Sequence, residues 1–232
     1  MCRILVLEFF IENIKAEEFK SKRILEIGSK YVNGSVRPFI EGFLKPKEYV
    51  GVDIEPGKFV DVVLPSEKLL DYFGPMSFDV VISTETLEHV QDWEDTINNM
   101  KAVLRPNGFL YITTVEKGFP YHGYPYDFWR YEIEDMERIF DDFKILVLKR
   151  DVEHGVLLKA KKPFNWRLEN YVSADLSDIA LYSMVLGRRT RSIPRIEDMS
   201  FTRKAMLKFL SSKAKSLVPR ILLRRLEKIY LC

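Results

Sequence analysis

Residues 23–29 read Arg-Ile-Leu-Glu-Ile-Gly-Ser, and this stretch decides the fold class. The apolar run at residues 24–27 is typical of a buried strand, and Gly28 ends that strand in a tight turn. The apolar spacing of residues 36–43 then predicts a helix, which Asn33-Gly34-Ser35 can cap. A strand, a glycine turn and a helix N-terminus form a corner that binds nucleotides, because backbone N–H groups point over the carboxyl end of the sheet.

The chain on either side of this corner alternates between strand-like and helix-like segments. Further strands are predicted at residues 49–53, 59–64, 78–83, 109–114, 143–149 and 155–161, and helices at residues 4–11, 93–104 and 133–140. Arg105-Pro106-Asn107-Gly108 ends the helix at residues 93–104, and asparagine tolerates a positive φ. The alternation predicts an α/β fold with a doubly wound, mostly parallel sheet and an antiparallel closing hairpin.

Charge divides the chain into two parts. Residues 1–163 carry 22 Lys+Arg and 28 Asp+Glu, and residues 164–232 carry 14 and 6, so a body of net charge −6 precedes a tail of +8. We therefore predict a ligand-binding domain at residues 1–163 and a basic helical C-terminal extension at residues 164–232, with helices at 173–186, 201–218 and 221–231. The extension could cover the substrate side or contact an anionic membrane as a peripheral protein, whereas its composition argues against nucleic acid.

Composition narrows the compartment and the cofactor classes. The chain has 232 residues and is 47% hydrophobic, yet no apolar run approaches the roughly 20 residues that span a membrane. The two cysteines, Cys2 and Cys232, form no disulfide framework and no metal cluster. These features predict a cytoplasmic protein, in which the basic extension allows membrane association, and a site without metal. The oligomeric state stays open.

The ligand class follows from the acids near the corner. Asp53 ends the second strand, where a carboxylate can bind both hydroxyls of a ribose. The glycine pattern of dinucleotide sites is absent, since the next glycine after Gly28 is Gly34. Glu26 would repel a pyrophosphate but suits a cation. S-adenosylmethionine has a ribose, an ammonium and a sulfonium and no phosphate, so it fits best.

Four motifs, in this order, extend the argument to a family. They are residues 25–29 (Leu-Glu-Ile-Gly-Ser), 51–53 (Gly-Val-Asp), 78–90 (Phe-Asp-Val-Val-Ile-Ser-Thr-Glu-Thr-Leu-Glu-His-Val) and 103–112 (Val-Leu-Arg-Pro-Asn-Gly-Phe-Leu-Tyr-Ile). Through them the chain resembles class I S-adenosylmethionine-dependent methyltransferases of the methyltransferase type 11 kind over roughly residues 20–160. The resemblance implies a seven-stranded Rossmann-like sheet and S-adenosylhomocysteine as the product.

The resemblance also implies roles for individual residues. Glu26, Gly28 and the adjacent Ser29 would hold the methionine end of the cofactor, and Asp53 with its neighbour Ile54 the ribose. The turn of Leu64, Pro65 and Ser66 would hold the adenine, and Thr84 and Glu85 would line the methyl side.

The loop after the fifth strand is the most distinctive stretch. Residues 119–131 read Phe-Pro-Tyr-His-Gly-Tyr-Pro-Tyr-Asp-Phe-Trp-Arg-Tyr, and similar methyltransferases carry a comparable loop over the site. Aromatic faces stabilise a sulfonium cation and exclude water. We expect Tyr121, His122, Tyr126 and Arg130 to contact the substrate, while Phe128 and Trp129 pack inward. An Asp127–Arg130 pair would brace the loop.

The sequence thus predicts an S-adenosylmethionine-dependent methyltransferase. Methyl transfer needs alignment of donor and acceptor, and a hydroxyl acceptor also needs a base, for which His122, His89 and Glu85 are the candidates. We expect O-methylation of a small-molecule or glycan-like acceptor, with a lipid-linked acceptor compatible with the basic tail. The alternative is a non-catalytic scaffold or regulatory subunit of the same fold, and a nicotinamide dehydrogenase is disfavoured by Glu26 and the glycine pattern.

Overall fold

A computed structural model describes residues 3–123, 126–166 and 176–195. The helices are α1 Ile4–Asn13, α2 Ala16–Phe19, α3 Arg37–Phe39 (continued by a π-helix, Ile40–Leu44), α4 Leu69–Phe73, α5 Trp93–Val103 and α6 Ile133–Ile139, with 3-10 turns at Ser66–Lys68, Leu87–His89 and Leu176–Asp178. The strands are β1 Arg23–Ile27, β2 Glu48–Asp53, β3 Val62–Val63, β4 Phe78–Thr84, β5 Leu104–Val115, β6 Trp129–Arg130, β7 Lys144–Arg150, β8 Gly155–Lys161, β9 Leu181–Ser183 and β10 Arg188–Thr190.

Seven strands form one mixed sheet in the order β3-β2-β1-β4-β5-β8-β7. The first five strands of this order, β3, β2, β1, β4 and β5, are parallel to one another, whereas β8 runs antiparallel to both β5 and β7. This confirms the doubly wound, mostly parallel sheet and the closing antiparallel hairpin. The order reverses between β1 and β4, so the carboxyl ends of β1, β2 and β4 meet at the point where ligands bind in such sheets.

Alternate residues of β1 enter two separate hydrophobic layers. Ile24 packs into the layer that holds Phe10 of α1, Phe19 of α2 and Ile40. Leu25 and Ile27 face the opposite layer, which contains apolar side chains of α4, α5 and α6. Because both faces of a parallel sheet are covered, the central strands read as continuous apolar runs.

A second, three-stranded sheet covers part of the loop that follows β5. Its order is β10-β9-β6, and β9 pairs antiparallel with β6 at Trp129↔Ser183. The helix predicted at residues 173–186 is therefore wrong over its described part, where a 3-10 turn, β9 and a turn to β10 occupy the chain. Pairing with β6 overrides the local helical spacing. The predicted helices at 201–218 and 221–231 lie outside the described residues, and the boundary at residue 163 stays a prediction.

Two other predicted elements differ in extent. The strand expected at residues 59–64 shortens to Val62–Val63, because Phe59 adopts φ +72°, a left-handed conformation that a strand cannot accommodate. The helix expected at residues 36–43 becomes one α-helical turn followed by a π-helix. Over the residues that the structure describes, no helix combines the length and the apolar character needed to cross a membrane.

Candidate active site

The corner between β1 and the following loop is tightly closed around Gly28. This glycine has φ +72°, and its N–H donates to the carbonyl of Val52 at 2.9 Å. A Cβ added to Gly28 would lie 2.0 Å from the side-chain oxygen of Thr86. Thr86 in turn donates to the carbonyl of Ile27 at 3.3 Å, so the loop after β4 rests directly on the glycine turn. The conformation and the contact both require glycine here.

Asp53 ends β2 beside this turn. Its two carboxylate oxygens accept backbone N–H groups, Oδ2 from Lys30 and Oδ1 from Glu55, each at 3.1 Å. These bonds fix the carboxylate at the carboxyl edge of the sheet, where the remaining lone pairs can accept further hydrogen bonds. Ser29 is buried next to it, and Ser29 Oγ has no hydrogen-bond partner among the described residues.

Glu26 is an acid inside the sheet. Its side chain is 1% exposed, and the hydroxyl of Tyr49 donates to Glu26 Oε2 at 2.9 Å. Burial raises the pKa of Glu26 to about 7, and the Tyr49 hydrogen bond and the charge of Arg37 oppose the increase. A buried carboxylate without a close cation is costly to keep ionised, which suits a site that receives a cationic group.

The other expected cofactor residues occupy the same edge. Ile54 is 61% exposed, Leu64 and Pro65 lead from β3 into the 3-10 turn, and Ser66 is buried there with its hydroxyl 2.8 Å from the Thr96 hydroxyl. Thr84 is buried at the end of β4. Their roles in binding the cofactor stay predictions.

Glu85 lies in an ion pair that the sequence did not indicate. Its Oε1 is 2.5 Å from Nε of Arg3, and the same guanidinium contacts Asp151 at 3.1 Å and Glu153 at 3.0 Å. Burial and the nearby Glu88 carboxylate raise the pKa of Glu85, while the Arg3 pair opposes them. Arg3 thus joins the chain before α1 to the end of β4 and to the turn between β7 and β8.

Glu88, His89 and His122 converge next to this edge; we call them the Glu-His-His cluster. Glu88 is fully buried, and its Oε2 accepts the Thr114 hydroxyl at 2.8 Å. Its Oε1 lies 3.9 Å from Nε2 of His89 and 3.8 Å from Nε2 of His122. The two imidazole rings are arranged edge to face, with their centroids 4.7 Å apart. His122, expected to face a substrate, is thereby placed beside the other histidine candidate.

Each histidine has an oxygen near its other ring nitrogen, although His122 Nδ1 lacks hydrogen-bond geometry. His89 Nδ1 contacts the carbonyl oxygen of Tyr126, and His122 Nδ1 lies 3.2 Å from Oδ2 of Asp127. Burial lowers the pKa of His89. For His122, burial also acts downward, but Asp127 outweighs it and the pKa of His122 is raised.

The loop is braced from inside by Asp127 and Arg130. Both side chains are fully buried, and the guanidinium binds the carboxylate through two bonds of 2.5 and 2.9 Å. Although burial alone would raise it, the pKa of Asp127 is lowered to about 2 by its bonds to Arg130 and His122. The predicted brace between Asp127 and Arg130 is present. Because Arg130 is buried in this ion pair, a structural role is favoured over the substrate contact expected of it.

The aromatic residues of the loop divide as the sequence suggests. Phe128 and Trp129 are buried, and the indole of Trp129 donates to the carbonyl of Gln91 at 3.2 Å. Tyr126 is 44% exposed, whereas Tyr121 is 7% exposed. Substrate contacts by Tyr121 and Tyr126 stay predictions, and exposure favours Tyr126.

Three residues of the site escaped sequence reasoning. Glu88 belongs to the quoted motif, but nothing in the sequence distinguishes it from a surface acid on a helical turn. Thr86 and Arg3 act through contacts with Gly28 and Glu85 that link distant parts of the chain. The buried groups around Glu88 mark it as part of the site, and only the folded structure shows them.

Comparison with known proteins agrees with this geometry. Residues 3–150 match the family model described as a methyltransferase domain, which is more than half of the chain. The chain therefore belongs to the methyltransferase domain family, and its fold is that of the class I S-adenosylmethionine-dependent enzymes.

Individual relatives are distant. The chain is similar to two ubiquinone biosynthesis O-methyltransferases, with 26% identity over 80 residues to that of Parvibaculum lavamentivorans and 25% over 114 residues to that of Vibrio atlanticus. These matches cover 34% and 45% of this chain but only 32% and 48% of the relatives.

Two solved structures share the fold. An S-adenosylmethionine-dependent methyltransferase of Mesorhizobium loti has TM-score 0.54 at 14% identity, covering 69% of this chain and 98% of that one. The Burkholderia thailandensis 1,6-didemethyltoxoflavin-N1-methyltransferase, with bound S-adenosylhomocysteine, has TM-score 0.52 at 15% identity, covering 62% and 72%.

Proposed function

We propose that this chain transfers a methyl group from S-adenosylmethionine to a hydroxyl of a small-molecule acceptor. The observation that carries the proposal is the edge formed by β1, β2 and β4. There lie a closed glycine turn, the Asp53 carboxylate and the buried Glu26, and the glycine turn contacts Thr86, two residues before the Glu-His-His cluster begins. Asp53 suits a ribose, and Glu26 suits an ammonium group.

The protein's task in this reaction is alignment and proton removal. S-adenosylmethionine supplies a methyl group on a sulfonium, which is already a strong electrophile. The aromatic loop excludes water, and the edge of the sheet holds donor and acceptor in line. The acceptor oxygen bonds to the methyl carbon as the carbon–sulfur bond breaks, and the hydroxyl proton must leave.

Three residues remain candidates for receiving that proton: His122, His89 and Glu85. The ion pair between Glu85 and Arg3 occupies one carboxylate oxygen, which favours the histidines. Both histidines lie in the Glu-His-His cluster, so we propose that the acceptor hydroxyl is activated there.

The relatives and two features of the chain bear on the finer identity of the acceptor. The two ubiquinone biosynthesis relatives are named O-methyltransferases, which is why we propose an oxygen acceptor. The aromatic loop suits a flat or glycan-like molecule, and the basic segment after residue 163 suits a lipid-linked one at an anionic membrane.

Methyl transfer can be tested with a labelled methyl group. The purified chain is incubated with labelled S-adenosylmethionine and a panel of phenols, glycans, lipid-linked alcohols, amines and carbon acceptors, and the labelled product is counted. We expect label in hydroxyl acceptors and stoichiometric S-adenosylhomocysteine. Label confined to amines or carbon acceptors would contradict O-methylation, and cofactor binding without transfer to any class would favour the scaffold alternative. An Asp53→Ala variant serves as the cofactor-binding control.

A further inference from the structure

We infer that Glu88, His89 and His122 form a binding site for a divalent transition-metal cation of the zinc type. The sequence alone predicts no metal site, because the two histidines belong to different segments and no cysteine accompanies them. The fold brings one possible ligand atom from each residue within 4.8 Å of the others. Two imidazole nitrogens and one carboxylate oxygen form a ligand set that catalytic zinc sites use.

The carboxylate supplies the first reason. Glu88 is fully buried, and its Oε1 has no hydrogen-bond partner among the described residues. A buried carboxylate oxygen without a partner is costly, so it implies an absent group. The two nearest guanidinium groups are already engaged, since Arg3 pairs with Glu85, Asp151 and Glu153, and Arg130 pairs with Asp127. Among the described residues neither guanidinium pairs with Glu88, so its carboxylate is open to a cation.

The orientation of the two rings supplies the second reason. Nδ1 of His89 contacts the Tyr126 carbonyl oxygen, and Nδ1 of His122 lies 3.2 Å from Asp127 Oδ2, close enough for that carboxylate to accept its proton after a small rotation of the ring. Protons assigned to both Nδ1 atoms leave each Nε2 with a free lone pair, directed towards Glu88 Oε1. Metal-binding histidines show this arrangement, because an outer carboxylate or carbonyl fixes the tautomer and the ring.

The distances and the exposure allow a bound ion. With metal–ligand distances of about 2.1 Å, tetrahedral ligand atoms lie roughly 3.4 Å apart. The observed separations of 3.8 and 3.9 Å require each Nε2 to approach Glu88 by about half an ångström, which a loop side chain can do. The histidine side chains are 24% and 18% exposed, so the site has an open side for a further ligand.

The open side suggests what the cation would do. A metal-bound hydroxyl loses its proton to water more readily than a free one, so with the cation bound the metal would activate the acceptor, and the histidines would hold the metal instead of receiving the proton. This role rests on the proposed function, whereas metal binding itself does not. The two can therefore be tested separately.

The test is a titration of the purified chain, cleared of metal with a chelator, with Zn²⁺, Co²⁺ and Mg²⁺ alone. Calorimetry measures Zn²⁺ and Mg²⁺ binding, and visible d–d absorption reports the coordination of Co²⁺. We expect one equivalent of Zn²⁺ or Co²⁺ per chain and much weaker Mg²⁺ binding, because imidazole ligands suit zinc and cobalt. A Cys2→Ser, Cys232→Ser background excludes thiolate binding. S-adenosylhomocysteine binding is measured in parallel in the presence of chelator, so a failed cofactor site is not mistaken for a failed metal site.

The chain offers a matched control, because its third histidine, His154, lies 54% exposed at the β7–β8 turn. We expect His122→Ala and Glu88→Gln to weaken Co²⁺ binding at least 100-fold and His154→Ala to leave it unchanged. Asp127→Asn should weaken it 10- to 100-fold, the usual effect of losing an outer carboxylate. Circular dichroism shows which variants fold, and Glu88→Gln, which keeps its shape, remains informative if others fail. The absence of stoichiometric Zn²⁺ or Co²⁺ binding, equal losses in His154→Ala and His122→Ala, or equal affinity for Mg²⁺ would overturn the inference.

Discussion

Replacing Glu26 with glutamine should stabilise the protein above neutral pH and weaken its cofactor binding. Glu26 is 1% exposed, and burial raises its pKa to about 7, against an ordinary value of 4.5. Between these two values the folded state holds more protons than the unfolded state, so the free energy of unfolding falls as the pH rises through this window. Each pKa unit corresponds to about 1.4 kcal/mol, so the ionised side chain costs the folded protein about 3 kcal/mol at pH 8.

Urea denaturation at about pH 5 and about pH 8 measures this cost. Relative to Glu26→Gln, the wild-type protein should lose about 2.5 kcal/mol of unfolding free energy between the two pH values, because part of the total is already lost at the lower pH. The matched control is Glu137→Gln, which removes an exposed carboxylate on α6 and should follow the wild type. Parallel pH profiles for the wild type and Glu26→Gln would refute the assignment of a buried, costly carboxylate.

The cost has a functional counterpart. If Glu26 receives the ammonium of the cofactor, Glu26→Gln should weaken binding of S-adenosylhomocysteine by about 1.5–3 kcal/mol at pH 8, the usual range for a hydrogen bond to a charged group. Calorimetry at the same pH provides the number. Unchanged affinity, together with the predicted gain in stability, would place the methionine end of the cofactor elsewhere.

Three further predictions concern the corner and the loop. Gly28→Ala should destabilise the fold by at least about 2 kcal/mol, because its Cβ would lie 2.0 Å from Thr86 and its φ is +72°. Urea denaturation measures the loss, and a Thr86→Ala background should relieve only part of it, because the Cβ of residue 86 stays 2.8 Å away and the backbone strain remains. Asp53→Ala should weaken S-adenosylhomocysteine binding by about 1–3 kcal/mol in calorimetry, since the ribose hydroxyls lose their acceptor. Arg130→Leu should cost about 3–5 kcal/mol in thermal or urea unfolding, because Asp127 would keep a buried charge without its partner.

Each of these predictions has a control within the chain. Gly42→Ala adds a Cβ with nothing within 4 Å and should not destabilise the fold, so an equal loss there would contradict the reasoning for Gly28. Glu55→Ala removes an exposed carboxylate near Asp53, and an equal effect on binding would mean that Asp53 contributes only charge. Arg105→Leu removes a half-exposed ion pair worth about 0–1 kcal/mol, and a similarly small effect for Arg130→Leu would refute the buried brace.

The sequence was sufficient where structure depends on neighbours along the chain. The glycine turn, the strand before it and Asn107, which adopts φ +63°, follow from local conformational preferences. The closing hairpin follows from two apolar runs with a turn between them. The spacing of apolar residues and the turn residues determine such elements, because the hydrogen bonds that form them join residues close together in the sequence.

Long-range contacts account for what the sequence did not give. Leu176 and Ile179 fit a helical spacing, yet the segment after them pairs with β6, because that pairing extends a sheet and buries Leu181. Phe59 could not be recognised as left-handed from a run of apolar residues. The Glu-His-His cluster forms only when the loop after β5 folds back onto the turn after β4, and no spacing of residues in the sequence predicts that contact.

The measurement that tests the central claim most directly is calorimetric titration of the purified chain with S-adenosylmethionine and S-adenosylhomocysteine. The account predicts that both bind at one site per chain and that Asp53→Ala weakens both. A folded protein that binds neither compound, or that binds NADH in their place, would contradict the assignment of the β1–β2 edge as a cofactor site.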